Sequence, residues 1–233
     1  MLRGVSLLRK VIVAIGLGLV FVSVSPVAKA EWIKDQQNKW VYYENASNEL
    51  VYVASENFVA PIELPQYYQA DARWGGKRYG LSNLKITGCA PTSLAMAISG
   101  LKEDVTPVQV ADYLFNMTME MNATFTGTSS LGVRDAIINW GLNYKVIDSK
   151  DELEKALKSG KLVYGAVGHG LFVNGYSTHA ILMSGYENGK TKAIDPDNMK
   201  KTNKWYSVDD IWNERSLGPE DNAVGGAFIA IYK

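Results

Sequence analysis

Cys89 is the only cysteine in this chain of 233 residues, and it lies in the stretch TGCAPTSLAMAIS, where a helix is expected to begin. Leu94 and Ile98 recur at the spacing of one helix face, and Pro91 suits a first turn. A thiol at a helix N-terminus feels the positive end of the helix dipole, which favours the nucleophilic thiolate. Cys89 is therefore a candidate nucleophile, although a lone cysteine is more often a small buried apolar residue.

A cysteine nucleophile needs a general base, and the chain contains two histidines. His169 lies in GHG, where flanking glycines would hold the ring poorly. His179 begins the apolar stretch HAILMSGY, a predicted strand whose packing would fix its backbone. We therefore prefer His179 as the base.

The base needs a group that orients its ring, and Asp195 closes the next predicted strand, TKAID. With a two-residue turn at Asn188-Gly189, His179 and Asp195 would point to opposite faces, because side chains alternate along a strand. An odd-length connection or a bulge would bring Asp195 diagonally beside His179 and Asp197 directly opposite it. Asp195 is the preferred orienting acid, and Asp197 is the alternative.

Acyl transfer through a thiolate also needs hydrogen-bond donors for the oxyanion. The backbone amide of Cys89 is one candidate. A side-chain amide upstream could supply another, and spacing alone leaves Gln66, Gln69 and Asn83 open.

The order of the predicted elements is helices first and an antiparallel sheet afterwards, which indicates an α+β domain. The segment 116–130 between them has little periodicity and is expected to be a mobile surface loop. After the helix that begins at Cys89, helices are predicted over 106–114, 131–140 and 149–160, strands over 162–167, 179–186, 191–195 and 227–232, and a short helix capped by Ser207.

The first thirty residues have the order of a secretory signal peptide. Arg3 and Arg9 precede an apolar run that ends in Ala28-Lys29-Ala30 before the charged Glu31. We expect removal after Ala30, a secreted protein without a membrane span, a strand-rich arm over 31–64 and one domain over 65–233. The aromatic arm, with a hairpin of 40–44 and 50–55, either packs on the domain or binds cell-wall polymers.

Composition excludes several function classes. Loss of the first thirty residues leaves 20 basic against 24 acidic residues, a formal charge of −4, with no basic block of the kind that nucleic-acid binding needs. Cys89, His169 and His179 lack the spacing of a zinc motif. Asp195, Asp197 and Asn198 lack the glycine and glutamate of a calcium loop. Neither a metal nor another cofactor is expected.

A series of motifs runs over about Leu64 to Lys233, in this order: YYQADARWGG, the pair Tyr79-Gly80, GCAPTSLAMAI, TPVQVADYL, LGVRDAIINWGL, THAILMSGYENGK and AIDPDN. In these motifs the chain resembles the exported bacterial branch of papain-like cysteine peptidases, which is related to the double-glycine leader peptidases of bacteriocin exporters. Two features depart from the family pattern: Ala90 stands where a glycine is frequent, and no transporter spans follow the domain.

The resemblance implies a papain-like fold, in which a helical half with the nucleophile helix packs on a C-terminal antiparallel sheet. It implies a peptidase acting on a peptide or protein, with Cys89 as nucleophile, His179 as base, Asp195 as orienting acid and Gln69 as oxyanion donor. Cleavage of double-glycine leaders does not carry over without the transporter. Two alternatives stay open: an amidase or transpeptidase acting on cell-wall peptides by the same mechanism, and a non-catalytic module that binds peptide or wall.

Overall fold

The structure is a computed structural model that describes residues 10–15, 18–23, 31–35, 38–44, 49–53, 57–175 and 177–233. The chain forms two compact units, residues 1–60 and 61–233. Their boundary lies close to the predicted junction at 64/65. No helix within the described ranges is long and apolar enough to cross a membrane.

The first unit contains two antiparallel sheets. The first sheet falls within the predicted signal segment, whose cleavage site lies outside the described residues, so removal of that segment stays a prediction. The second sheet confirms the predicted hairpin, with its turn at 45–48 also outside the described residues. The strands are β1 (Lys10–Ile15) and β2 (Gly18–Ser23), then β3 (Glu31–Lys34), β4 (Trp40–Glu44) and β5 (Glu49–Val53).

Several aromatic residues in the described part of the first unit pack on one another. The ring of Trp32 lies 4.2 Å from that of Phe58 and 5.1 Å from that of Tyr42, measured between centroids. Phe58 is buried, so at least part of this aromatic set forms a small local core.

The second unit begins with the predicted helical half. A two-stranded ribbon and a one-turn helix lead into the helix that starts at Cys89, as the sequence predicted. Polar side chains cap the next helices at the predicted positions: hydroxyl oxygens of Thr106, Ser149 and Ser207 each accept a hydrogen bond from the backbone N–H three residues on. These elements are β6 (Arg78–Tyr79), β7 (Ser82–Asn83), α1 (Leu84–Thr87), α2 (Cys89–Leu101), α3 (Pro107–Tyr113) and α4 (Ser130–Asn139).

A six-stranded antiparallel sheet follows, in the order β12-β11-β10-β9-β13-β8. The sequence predicted the four inner strands but missed β8 and β12, because these edge strands are short and carry polar residues among the apolar ones. The remaining elements are β8 (Asn143–Ile147), α5 (Lys150–Lys158), β9 (Leu162–Val167), β10 (His179–Glu187), β11 (Lys190–Ile194), β12 (Lys204–Ser207), α6 (Val208–Asn213) and β13 (Phe228–Tyr232).

Helix α2 is the central helix of the second unit. Ten of its residues are buried, and it packs against β10 and β9 as well as α3 and α4. Every residue of β9 is buried too, as expected for a strand covered on both faces. The nucleophile helix packed on an antiparallel sheet confirms the predicted α+β class.

The segment 116–130 is more structured than the irregular loop that the sequence suggested. A π-helical turn, Leu114–Thr118, continues α3, and Met121 forms an isolated β-bridge with Thr128. The side chain of Asn122 accepts a hydrogen bond from the backbone N–H of Gly127 at 2.8 Å. Periodicity could not reveal this order, because it comes from side-chain hydrogen bonds within the loop.

Candidate active site

Cys89 is the first residue of α2 and is partly exposed, while the residues that follow it in the helix are buried. Gly88 precedes it, and a Cβ at that position would lie 2.2 Å from the carbonyl oxygen of Leu84. Only glycine therefore allows the chain to pass so close to α1 before α2 begins. The glycine and the buried helix together hold the thiol at a fixed helix N-terminus.

His179 is the first residue of β10, and its ring meets the carboxylate of Asp195. The distance from Nε2 of His179 to Oδ1 of Asp195 is 2.8 Å, and the two side chains are 12% and 1% exposed. Strand pairing of His179 with Val167 fixes the backbone of the histidine. The sequence-based choice of His179 and Asp195 as a pair therefore corresponds to a direct contact.

The connection between β10 and β11 is a two-residue turn. Glu187 pairs with Lys190, and the two residues between them, Asn188 and Gly189, have φ angles of +47° and +77°. Positive φ at both central positions is typical of a type I′ hairpin turn. With this turn alone, His179 and Asp195 would lie on opposite faces.

A β-bulge corrects the register. The pairing shifts between Ser184 and Glu187, so that two residues of β10, Gly185 and Tyr186, lie opposite Thr191 alone. Gly185 has a φ of +75°, the left-handed conformation that such a bulge places on glycine. The bulge shifts the register by one residue. His179 and Asp195 therefore lie on the same face of the sheet, as the sequence analysis required for their contact.

Asp195 is held by the loop that follows it. Its Oδ1 also accepts hydrogen bonds from the backbone N–H groups of Asp197 at 2.8 Å and Asn198 at 3.1 Å. The backbone N–H of Asp195 donates a hydrogen bond to Thr202 Oγ1 at 3.0 Å. The alternative acid, Asp197, is exposed and contributes its backbone amide here. Of the two carboxylates, the one in contact with His179 is that of Asp195.

The imidazole of His179 interacts with Cys89 as well as with Asp195. Burial alone would lower the pKa of His179, but hydrogen bonding and charge interactions with Asp195 and Cys89 outweigh burial and raise it from 6.5 to about 10. Because Nε2 faces Asp195, Nδ1 is the ring nitrogen left for the thiol. The raised pKa favours the positively charged form of the ring at neutral pH, in the pocket that His179 shares with Cys89.

Gln69 connects the two sides of the site through its backbone and side chain. Its N–H donates to the carbonyl oxygen of Pro196 at 2.9 Å, and its Nε2 donates to that of Lys85 at 2.9 Å. Within the described chain its Oε1 has no partner, and Gln69 is not among the residues that line the pocket at Cys89. The structure thus brings Cys89, His179 and Asp195 together and places Gln69 behind the segment that leads into α2.

The two other amides that spacing left open have structural partners. Asn83 caps α1, because its Oδ1 accepts a hydrogen bond from the N–H of Ile86 at 3.1 Å. Oε1 of Gln66 accepts a hydrogen bond from the side-chain amide of Asn203 at 3.2 Å. Of the three candidates, only Gln69 is buried.

A pocket of about 320 Å³ opens beside Cys89 and His179. The sequence did not single out two polar residues of its lining, Tyr164 and Asp221. Tyr164 is the one hydroxyl-bearing residue of the strand LVYGAV, and this polar group in an apolar strand could have indicated a functional residue. Asp221 lies in a loop without periodicity, so no sequence pattern indicated it. The lining also includes Ile86, Thr87, Ala90, Phe125, Thr126, Gly127, Thr128, Ala166, Thr178, Ala180, Gly218, Pro219 and Glu220.

This fold is that of the papain-like cysteine peptidases. Residues 61–217 match the sequence model of the Peptidase_C39 like family, so the chain belongs to that family. The family supports cysteine peptidase activity in broad terms and confirms the relation that the motifs indicated. The comparison with curated proteins finds no match.

Three solved structures are similar to this chain, and the first of them supports the fold. A putative C39-like peptidase from Bacillus anthracis is 14% identical, with a TM-score of 0.52 over 76% of this chain and 98% of its own. The peptidase domain of Streptococcus ComA, a bifunctional ABC transporter involved in quorum sensing, is 18% identical, with a TM-score of 0.44 over 63% of this chain and 90% of its own. A double glycine motif protease from an AMS/PCAT transporter, in complex with the leader peptide, is 17% identical, with a TM-score of 0.43 over 74% and 92%.

Proposed function

We propose that this protein is an exported cysteine peptidase that hydrolyses peptide bonds through Cys89, His179 and Asp195. One observation carries the proposal: the ring of His179 contacts Asp195 at 2.8 Å, and His179 and Cys89 line the same pocket. A nucleophile, a base and a group that orients the base are the parts that covalent acyl transfer needs.

The first half of the reaction would cleave the peptide bond. The positively charged ring of His179 stabilises a thiolate at Cys89, which attacks the substrate carbonyl carbon and forms a C–S bond. His179 then gives its Nδ1 proton to the leaving nitrogen, the C–N bond breaks, and a thioester remains on Cys89. Asp195 keeps the ring in place by accepting the Nε2 hydrogen.

The second half would restore the enzyme. The neutral ring of His179 takes a proton from a water molecule, which attacks the thioester carbonyl. The C–S bond breaks, the acid product leaves, and the proton from the water stays on His179. Thiolate and imidazolium are then ready for another substrate.

The backbone N–H of Cys89 is a natural donor to the oxyanion, because it lies at the free N-terminus of α2. We propose that Gln69 is the second donor. Its Nε2 carries two hydrogens, and the bond to the Lys85 carbonyl uses one. Gln69 is buried and its backbone N–H is hydrogen-bonded to Pro196, which fixes where the side chain starts; the second hydrogen is the one that would meet the oxyanion.

Export follows from the predicted signal peptide. Its test is the N-terminus of the protein recovered from the culture medium, which we expect to be Glu31. Recovery of an intact Met1 from the membrane fraction would contradict it.

A mixed peptide library tests the activity. Wild-type protein should cleave it, and Cys89→Ala, which keeps the helix and removes the sulfur, should not. Purified cell-wall stem peptides form a second arm. If they are processed by wild type but not by Cys89→Ala while the library stays intact, the protein is a cell-wall amidase; if neither substrate changes, the protein is a binding module.

A further inference from the structure

The pocket beside Cys89 is negatively charged on one side. Of the residues that line it, two are carboxylates, Glu220 and Asp221, and none is a lysine or arginine. Within the described chain, neither carboxylate forms a salt bridge. Glu220 is exposed, whereas Asp221 is half-buried.

The loop holds Asp221 in a fixed position. Its Oδ2 accepts a hydrogen bond from the hydroxyl of Ser216 at 2.6 Å, and Ser216 is itself buried. Asn222 donates to the carbonyl oxygens of Ser216 at 3.0 Å and Gly218 at 2.8 Å. The Ser130 hydroxyl ties the loop to α4 by donating to the Glu220 carbonyl at 3.0 Å. A carboxylate positioned in this way needs little reorganisation to bind a ligand.

Tyr164 is an independent sign of a polar ligand at the same place. It lies on β9, is 3% exposed and lines the pocket. Its hydroxyl makes no hydrogen bond to the described chain and is not among the fully buried oxygens that lack a partner, so it stays accessible to a ligand. A tyrosine buried to this extent usually has a hydrogen-bond partner for its hydroxyl. Burial and the nearby Cys89 and Asp221 raise the pKa of Tyr164 well above 10, so its oxygen stays neutral and lies close to both the nucleophile and the carboxylate.

We propose that Tyr164 and Asp221 form a subsite that binds a positively charged group, an ammonium or guanidinium, on a substrate residue next to the scissile bond. The inference rests on the proposed function and specifies its substrate class. A cationic group would donate hydrogen bonds to the open oxygen of Asp221 and to the hydroxyl of Tyr164. A neutral or acidic side chain would leave both without a partner, which is how a polar subsite rejects the wrong substrate. Glu220, at the exposed edge, would attract the same charge from solution.

Alkylation of Cys89 tests the subsite without requiring peptidase activity. Two reagents of matched length, N-aminobutyl iodoacetamide and N-pentyl iodoacetamide, differ in one charge. In both, the thiolate displaces iodide and forms a thioether. At neutral pH and physiological salt, where long-range charge effects are screened, we expect wild type to react with the cationic reagent faster by about tenfold. Equal rates would overturn the proposal.

Variants assign the effect to the two residues. Asp221→Asn, which keeps the shape of the side chain, should bring the ratio of the two rates close to one. Asp209→Asn, a matched change at an exposed carboxylate that pairs with Lys150, should leave the ratio unchanged. Tyr164→Phe should lower the ratio while preserving the rate with the neutral reagent. A wild-type ratio in Asp221→Asn would overturn the role of Asp221, and an equal fall for both reagents in Tyr164→Phe would overturn that of Tyr164.

The peptide library separates failure of the subsite from failure of the proposed function. Cleavage that depends on Cys89 but shows no enrichment of lysine or arginine beside the cut would overturn the subsite alone. A charge-dependent alkylation ratio without cleavage would overturn the peptidase proposal and keep the cation subsite.

Discussion

The chain's two histidines are ten residues apart in sequence and differ in everything that matters for catalysis. His179 begins a paired strand, is 88% shielded on its side chain and contacts a buried carboxylate. His169 is exposed, and its Nδ1 accepts a hydrogen bond from the N–H of Gly175 at 3.3 Å. Because the backbone of His169 is also held, in a β-bridge with Val173, the difference teaches that burial and contact with a carboxylate mark the candidate base.

Replacement of the histidines gives the largest expected difference. His179→Gln removes the base and should lower kcat/KM for a cleaved library peptide by about 10⁴-fold. His169→Gln should change kcat/KM by less than about twofold, because this side chain is exposed and outside the site. Similar losses in both variants would remove the distinction between the two regions.

The carboxylate that fixes His179 should come next. Asp195→Asn retains an oxygen for the backbone amides but alters the partner of the ring, so we expect kcat to fall on the order of 10³-fold. Asp197→Asn keeps its backbone N–H, which is what it contributes to the site, and should stay within about threefold of wild type. Steady-state kinetics on one peptide checks both. A larger loss in Asp197→Asn would transfer the orienting role to that residue.

The raised pKa of His179 should be visible in stability. Its value of about 10, against 6.5 in an unperturbed histidine, means that the folded state binds the proton more tightly than the unfolded state. The contribution is complete below about pH 6.5 and is lost as the pH rises through about 10. Urea unfolding should show wild type losing roughly 3 kcal/mol relative to His179→Gln over this range. A difference that does not change with pH would contradict the shifted pKa.

The bulge at Gly185 and the turn at Gly189 offer the smallest and most specific test. Both glycines have positive φ, +75° and +77°, so alanine at either should cost about 1 kcal/mol of unfolding free energy. Only Gly185 lies between the turn and the His179–Asp195 pair, so only Gly185→Ala should also lower kcat. Denaturant midpoints measure the cost of backbone strain in each variant, and kcat measures whether the strand register still aligns His179 with Asp195. Equal kcat in the two variants would show that the bulge is not what aligns the pair.

Much of this arrangement was legible in the sequence because it depends on local patterns. The start of α2 at Cys89, the caps at Thr106, Ser149 and Ser207, and the inner strands follow from periodicity and polar side chains at helix ends. The alternation of side chains along strands predicted that His179 and Asp195 could be in contact only with an odd-length connection or a bulge. It could not predict which of the two the chain would have.

What the sequence could not supply depends on contacts between distant segments. The role of Gln69 at the oxyanion stays a prediction. The hydrogen bond from its side-chain amide to Lys85 could not be foreseen, because the two residues are 16 positions apart in sequence. The pocket-lining role of Tyr164 and Asp221 arises because β9 and the loop 216–222 converge beside α2, and no spacing rule connects residues so far apart. The loop 122–128 and the two edge strands were missed for local reasons: a side-chain hydrogen bond within the loop orders it, and the strands are short and partly polar.

The pocket combines loop residues with residues of regular secondary structure, so its selectivity could be remodelled. Part of its lining comes from two loops, 125–128 and 218–221. The atoms proposed to react belong instead to the first residue of α2 and to the first residue of β10, an inner strand of the sheet. Grafting different loops onto this scaffold would therefore redirect the protein toward new targets while leaving its chemistry intact.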